Sequence, residues 1–332
     1  MKAVIMAGGY ATRLWPITKT KAKPLLPLGS KTIIDYIYEK IRPFGFDIIV
    51  STNLRFRRDF EEWAEDKEVE LAIENTTKEE EKLGAVRALY EVTESFDDDV
   101  LVVAGDNIFS FTLDDFVEKY REMRSSLIAL YDVGDFDLAR RYGIAILDGD
   151  RIVSFEEKPE KPKTTLAGIG IYAFDKETKD MLSDYVRGEK KDNLGDFISW
   201  LIERKEIYGH VFSNGNWYDV GNPDSYLEAL KIYMSHHVSD DVEIDRTSKI
   251  IEPVVIKENV KIRKRSIVGP YAYIGEGCEI EASDVSDSVV FRNVILRKAK
   301  IWRSIVDEKC EIRNLELSGS IIGGHAKIQR GE

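Results

Sequence analysis

A chain of 332 residues and 38.0 kDa exceeds one ordinary hydrophobic core, so two domains are the starting expectation. Its formal charge of −12 argues against a broad nucleic-acid or anionic-membrane surface, because either needs excess Lys and Arg to displace counterions. Any phosphate it binds must be met by local cations.

No apolar run approaches the roughly 20 residues of a spanning helix. The opening "MKAVIMAGGY" is broken by glycine too soon to read as a signal peptide, so a cytoplasmic protein is expected. Glutamine occurs once, at Gln329, while 33% of residues are charged, a balance that resembles proteins from hot habitats. Cys278 and Cys310 make neither a CxxC pair nor a metal-ligand spacing and read as buried structural thiols.

From residue 1 to 235, short Val- and Ile-rich runs alternate with amphipathic segments. "KAVIMA", "DIIVST", "VELAIE", "DVLVVAGD" and "SLIALYDV" read as strands. "TIIDYIYEKIRPF", "FRRDFEEWAEDK", "GAVRALYEVTESF" and "LDDFVEKYREMR" show helical spacing. Alternation of this kind predicts an α/β domain with a Rossmann-like, mostly parallel sheet covered on both faces. Ligands of such sheets bind at the carboxyl ends of the strands, where "AGG" and "AGD" both fall.

After residue 235 helical periodicity disappears. Ile256, Ile262, Val268, Ile274 and Ile280 recur every six positions, and two places before each stands a smaller residue: Val254, Val260, Ser266, Ala272 and Cys278. Gly269 and Gly275, each just after its anchor, fit tight corners. Ile295 to Ile301, Val306 to Ile312 and Ile322 to Ile328 keep the interval after the register slips. Five successive matches predict stacked coils of one unit over residues 236–332. The pattern resembles the hexapeptide-repeat, left-handed parallel β-helix of many sugar-nucleotide enzymes. Stacked coils leave apolar faces and open ends, so a homo-oligomer is expected.

The stretch "AGGYATRLWPITKTKAKPLLP" follows the first strand. "GSKT" at residues 29–32 is no P-loop, because Pro24 stands where the first glycine belongs. Gly8 and Gly9 leave backbone N–H groups open to phosphate oxygens, Arg13 can make a paired contact to phosphate, and Lys23 adds a point charge. A Gly-Gly turn with exposed basic residues would account for the spacing equally well.

The order AGG, TRL, P-x-T, KPLLP resembles the signature of the sugar-1-phosphate nucleotidylyltransferases, and the likeness runs through the first two-thirds of the chain. The resemblance implies a nucleoside triphosphate and a hexose 1-phosphate as substrates, with Ala7, Gly8, Gly9 and Arg13 cradling the triphosphate and Lys23 beside the reacting phosphates. Two positions depart from the family: Ala11 where glycine is usual, and Ala22 where proline is usual. By the same resemblance Asp106 of "AGDN" and Asp219 of "WYDVGNP" hold Mg²⁺, a hard cation that takes one or two carboxylates plus phosphate oxygens.

Gly143, Glu157, Lys158 and Gly168 match the positions that contact sugar hydroxyls or the sugar phosphate in that family. Trp217 is placed to form a wall on the sugar side or simply to pack. If "KLGAVRAL" is the base-reading loop, Gly84 is its glycine and Glu79 stands where uridylyl- and thymidylyl-type relatives have glutamine. A carboxylate only accepts hydrogen bonds, which suits guanine, whereas "GDNIF" resembles the thymidylyl branch; neither base is favoured. Two other functions are open to such a chain: a bifunctional enzyme with an acyltransferase in its coil, or a non-catalytic regulatory subunit. His210, His236, His237 and His325 are scattered and read as structural.

Overall fold

The computed structural model describes residues 1–188 and 192–330. Two compact units divide the chain: Met1–Gly9 with Ile34–Tyr218, and Tyr10–Ile33 with Asp219–Glu332.

The first unit is built on nine strands: β1 (Lys2–Met6), β2 (Asp47–Asn53), β3 (Val69–Glu74), β4 (Val100–Ala104), β5 (Leu127–Asp132), β6 (Gly143–Asp148), β7 (Arg151–Glu157), β8 (Leu166–Phe174) and β9 (Tyr208–Phe212). They form one sheet in the order β3-β2-β1-β4-β8-β5-β9-β7-β6. Pairing is parallel across β3-β2-β1-β4 and between β5 and β9. Ala3, Val4, Ile5 and Val100 to Val103 are buried on both faces, as continuous apolar runs require.

The expected α/β class holds, but the sheet is mixed. β8 runs antiparallel to both β4 and β5, and β6 and β7 form an antiparallel hairpin around Gly149. The connection from β7 to β8 contains no helix, yet the two strands run parallel, since each pairs antiparallel with β6. Helices α1 (Ile33–Ile41), α2 (Arg57–Ala64), α3 (Ala85–Thr93) and α4 (Asp114–Met123) fall within the four segments of helical spacing. Later come α5 (Phe136–Ala139), α6 (Lys176–Gly188) and α7 (Leu194–Leu201). Val4, Val102, Ile128, Phe155, Phe174 and Phe197 share one core.

In the second unit, strands of two or three residues stack into three parallel sheets, the arrangement of a β-helix. Ile256, Ile262, Val268, Ile274 and Ile280 all point inward, and Val254, Val260, Ser266, Ala272 and Cys278 are fully buried beside them. The early coils are 18 residues long, since Val254 pairs with Ala272 and Lys261 with Glu279. Later coils are 16 residues long, since Glu279 pairs with Ile295 and Asp284 with Lys300. This shortening explains the slip in register. The inward series becomes Val285, Val290, Leu296, Ile301 and Val306, so Leu296 rather than the half-buried Ile295 continues the core.

Corners turn through the left-handed region at Asn259, Asn293 and Asn314, and at Gly269 with φ 106°. A Cβ on Gly269 would lie 1.8 Å from the Ile251 carbonyl oxygen, so the corner has room only for glycine. Helix α8 (Pro223–Tyr233), capped by Asn222 and Ser225, belongs to this unit. Arg303 bonds its Asp224 and Glu228, and Lys231 pairs with Asp287 on the coil. Both cysteines are buried and free, and burial pushes the Cys278 thiol up to about 12.

Candidate active site

The carboxyl ends of β1, β2 and β4 are bound into one group of loops. Ala7 donates its N–H to the Ser51 carbonyl at 2.7 Å, the Asn53 side chain donates to the Gly8 carbonyl at 2.9 Å, and Gly105 donates to the Met6 carbonyl at 2.8 Å. A Cβ on Gly105 would meet that same Met6 oxygen at 2.8 Å, so the close approach depends on glycine. Asp106 follows directly. The first unit therefore brings the Ala7-Gly8 turn and the Asp106 loop side by side, while Gly9 is exposed with open space around it.

Gly84 opens α3 with φ 92°. The space a side chain would take there is filled by the Asp192 carboxylate, which accepts hydrogen bonds from the N–H groups of Val86 and Arg87 at 2.9 and 3.1 Å. Burial raises this acid above the usual carboxylate range against the pull of those donors, and the nearby charge of Glu74 adds to the rise. Glu74, at the end of β3, accepts from the Leu83 N–H at 2.9 Å, and its other oxygen lies 3.9 Å from where a Cβ on Gly8 would be. It thus joins the Gly8 turn to the loop before Gly84. Glu79 pairs with Lys82 at 3.1 Å. Neither Glu74 nor Asp192 stands out in the sequence: one ends an ordinary strand pattern, and the other is far along the chain.

In the same unit, Glu157 pairs across the β6–β7 hairpin with Gly143. Its carboxylate would stand 2.9 Å from a Cβ on Gly143 and 2.1 Å from one on Gly195, and it meets the Lys158 ammonium at 2.8 Å. Burial, with the Glu157 charge beside it, holds the Tyr172 phenol well above its ordinary value. Gly143 and Gly168 also make room for the ring of Phe155, which approaches their missing Cβ positions to 2.4 and 3.0 Å. Trp217 is buried and stacks edge-on against Tyr142 at 4.8 Å. Its indole donates to the Asn107 side chain at 3.3 Å, and Asn107 donates in turn to the Ile169 carbonyl. Asn107, the residue after Asp106, thus connects the carboxylate loop to this wall.

The second unit holds Arg13, Lys23 and Asp219. Ala11 has φ 47°, a conformation that glycine favours, so the loop keeps a glycine-like turn despite the substitution. Ala22 has φ −66°, close to the value a proline ring would impose. Both departures therefore sit on backbone that the usual residue would also adopt. Lys23 is buried, and its ammonium donates to the Val220 carbonyl at 2.6 Å, next to Asp219. Arg13 is exposed.

Against this arrangement, residues 2–236 match the family described as Nucleotidyl transferase. The chain belongs to the nucleotidyl transferase family. Residues 250–331 match the GMPPB C-terminal domain, in agreement with the stacked coils. A glucose-1-phosphate thymidylyltransferase of Streptomyces antibioticus is 30% identical over 99% of this chain and 93% of its own length. The bifunctional protein GlmU of Methanocaldococcus jannaschii is 29% identical over 93% of this chain and 78% of its own length. Among solved structures, a Bacillus anthracis protein described as a glucose-1-phosphate thymidylyltransferase, solved with sucrose, superposes with a TM-score of 0.62. It is 26% identical and covers 72% of this chain and 98% of its own. Membership and relatives together make this nucleotidyltransferase one of the sugar-1-phosphate type.

Proposed function

We propose that residues 1–235 carry out the transfer and residues 236–332 form the β-helix, and that a hexose 1-phosphate is the acceptor of the nucleotidyl group. An oxygen of the sugar phosphate attacks the α-phosphorus of a nucleoside triphosphate. The new O–Pα bond forms as the bond from Pα to the oxygen bridging Pα and Pβ breaks, and pyrophosphate leaves with that oxygen and the electron pair. No protein nucleophile is needed, so positioning and charge neutralisation carry the catalysis.

In this reading Ala7, Gly8 and Gly9 offer backbone N–H groups to the triphosphate, with Arg13 and Lys23 as its cations. Gly84 and the adjoining Glu79 and Glu74 border the base. Glu157 accepts hydrogen bonds from sugar hydroxyls, Lys158 balances the sugar phosphate, and Gly143, Gly168 and Trp217 shape the surrounding wall. Asp106 and Asp219 offer the hard oxygen donors that suit Mg²⁺. When bound, Mg²⁺ would offset the negative charge that accumulates on the reacting phosphates.

The observation that carries this reading is the Gly105–Met6 hydrogen bond, which sets the Asp106 loop beside the Gly8 turn. A matrix of nucleoside triphosphates against hexose 1-phosphates, with Mg²⁺ and pyrophosphate release as the readout, tests it. One pair should dominate, and Asp106→Asn should lower its kcat by about a hundredfold, as loss of a transition-state electrostatic contact does. Turnover left intact in Asp106→Asn would overturn the metal role.

A further inference from the structure

The stretch from Thr12 to Leu25 contains only single turns of 3-10 helix, Thr12–Leu14, Ile17–Lys19 and Lys23–Leu25. Such turns are too short to hold a loop by their own backbone bonds. Contacts within the second unit do so instead. Pro16 lies against Gly323, where a Cβ would stand 3.0 Å from its ring. Lys23 is fixed to the Val220 carbonyl, and the buried Tyr226 hydroxyl donates to the Pro27 carbonyl at 2.7 Å.

Lys21 makes the most specific of these contacts. Its ammonium lies 2.8 Å from Asp307 Oδ1, 3.6 Å from Glu308 Oε1 and 5.1 Å from the centroid of the Phe291 ring. The Asp307 side chain is only 4% exposed, and its Oδ1 also accepts the Glu308 N–H at 2.8 Å. Glu308 is held in turn by Arg292 at 2.6 Å. Burial acts to raise the Glu308 acid, but the Arg292 hydrogen bond and the charges of Lys21 and Arg292 outweigh it and keep the acid below its usual range. A buried carboxylate left without its cation is costly, so a pair of this kind selects one arrangement of the chain. Although "KTKAK" offers three lysines in a row of alternating positions, the fold commits Lys21 to the coil.

We propose that Asp307, on the β-helix, is a positioning residue for the nucleotide: through Lys21 it fixes the loop that carries Arg13 and Lys23. The coil thereby sets affinity for the triphosphate without touching it. This rests on the reading of Arg13 and Lys23 as triphosphate ligands.

The test is steady-state pyrophosphate release by the full chain, using the substrate pair of highest turnover, for Lys21→Met, Lys21→Arg, Asp307→Asn and the Lys21→Met/Asp307→Asn double variant. KM is measured separately for nucleoside triphosphate and sugar phosphate, alongside the melting temperature. Each of Lys21→Met and Asp307→Asn should raise the triphosphate KM about tenfold, with kcat and the sugar-phosphate KM within about twofold. The double variant should be no worse than the worse single one, and Lys21→Arg should stay near wild type. An unchanged triphosphate KM in Lys21→Met, an equal rise in both KM values, or single effects that multiply in the double variant would each overturn the proposal. If Asp307→Asn does not fold, Lys21→Met decides alone. A wild-type chain inactive with every pair would sink the nucleotidyl-transfer reading and this inference with it, whereas an active one with an unaffected Lys21→Met sinks only the inference.

Discussion

Glu157 is held in place before any ligand arrives. Its carboxylate fills the space left by the missing side chains of Gly143 and Gly195, and Lys158 neutralises one oxygen at 2.8 Å. A carboxylate fixed this way accepts hydrogen bonds from hydroxyls with little entropy to lose. Glu157→Gln should raise the sugar-phosphate KM at least tenfold, since a hydrogen bond to a charged group contributes about 1.5–3 kcal/mol, and should spare the triphosphate KM. Equal loss for both substrates would point to a folding defect instead. A second residue-scale expectation concerns Asp175. Although burial acts to raise its acid, hydrogen bonds from Lys205, the Thr178 N–H and Ser126, with the Lys205 charge, keep it below the ordinary value of 3.8. A depressed folded value means stability that is present above about pH 4 and lost as pH falls below 3.8. Asp175→Asn should therefore flatten the acid limb of a stability-against-pH curve measured by denaturant unfolding, and should lower stability at pH 7 by about 1–3 kcal/mol.

At the scale of elements, the coil was the most legible part of the chain, because a period of six can be read wherever one inward residue marks each face. Val254 to Ile280 reveal it directly. The sequence pattern misleads at Ile295, where the coils have shortened from 18 to 16 residues and the inward position falls on Leu296. Period alone cannot report that change, since it depends on how many residues each corner takes. In the sheet, apolar runs revealed β1 to β5 but not direction: β8 is as apolar as a parallel strand, yet it lies antiparallel between β4 and β5. Glu74, Asp192 and Asp307 stayed hidden for a related reason, since each acts on residues distant in sequence. The corner at Gly269 gives this scale its prediction. Gly269→Ala would force a Cβ into the Ile251 carbonyl at a φ that L residues rarely adopt. Calorimetric or denaturant unfolding should show a loss of about 3 kcal/mol or more, among the larger effects known for single substitutions.

At the scale of the whole molecule, the compact units do not follow the order of the sequence. Tyr10–Ile33, which carries Arg13 and Lys23, belongs with Asp219–Glu332 rather than with the sheet that precedes and follows it. Lys21 reaches Asp307 and Glu308, Pro16 abuts Gly323, and α8 is tied to the coil through Arg303 and Lys231. A chain ending at residue 235 would keep every residue assigned here to catalysis yet lose Asp287, Arg303, Asp307, Glu308 and Gly323. If those residues shape the loop, such a chain should retain the helix signal of α1 to α7 in far-ultraviolet circular dichroism while its kcat/KM for the triphosphate falls by about a hundredfold, the scale expected when a positioned group is released. Adding residues 236–332 back as part of one chain should restore it. A truncated chain with unaltered kcat/KM would mean that the loop holds its own shape and that the β-helix serves something other than the nucleotide.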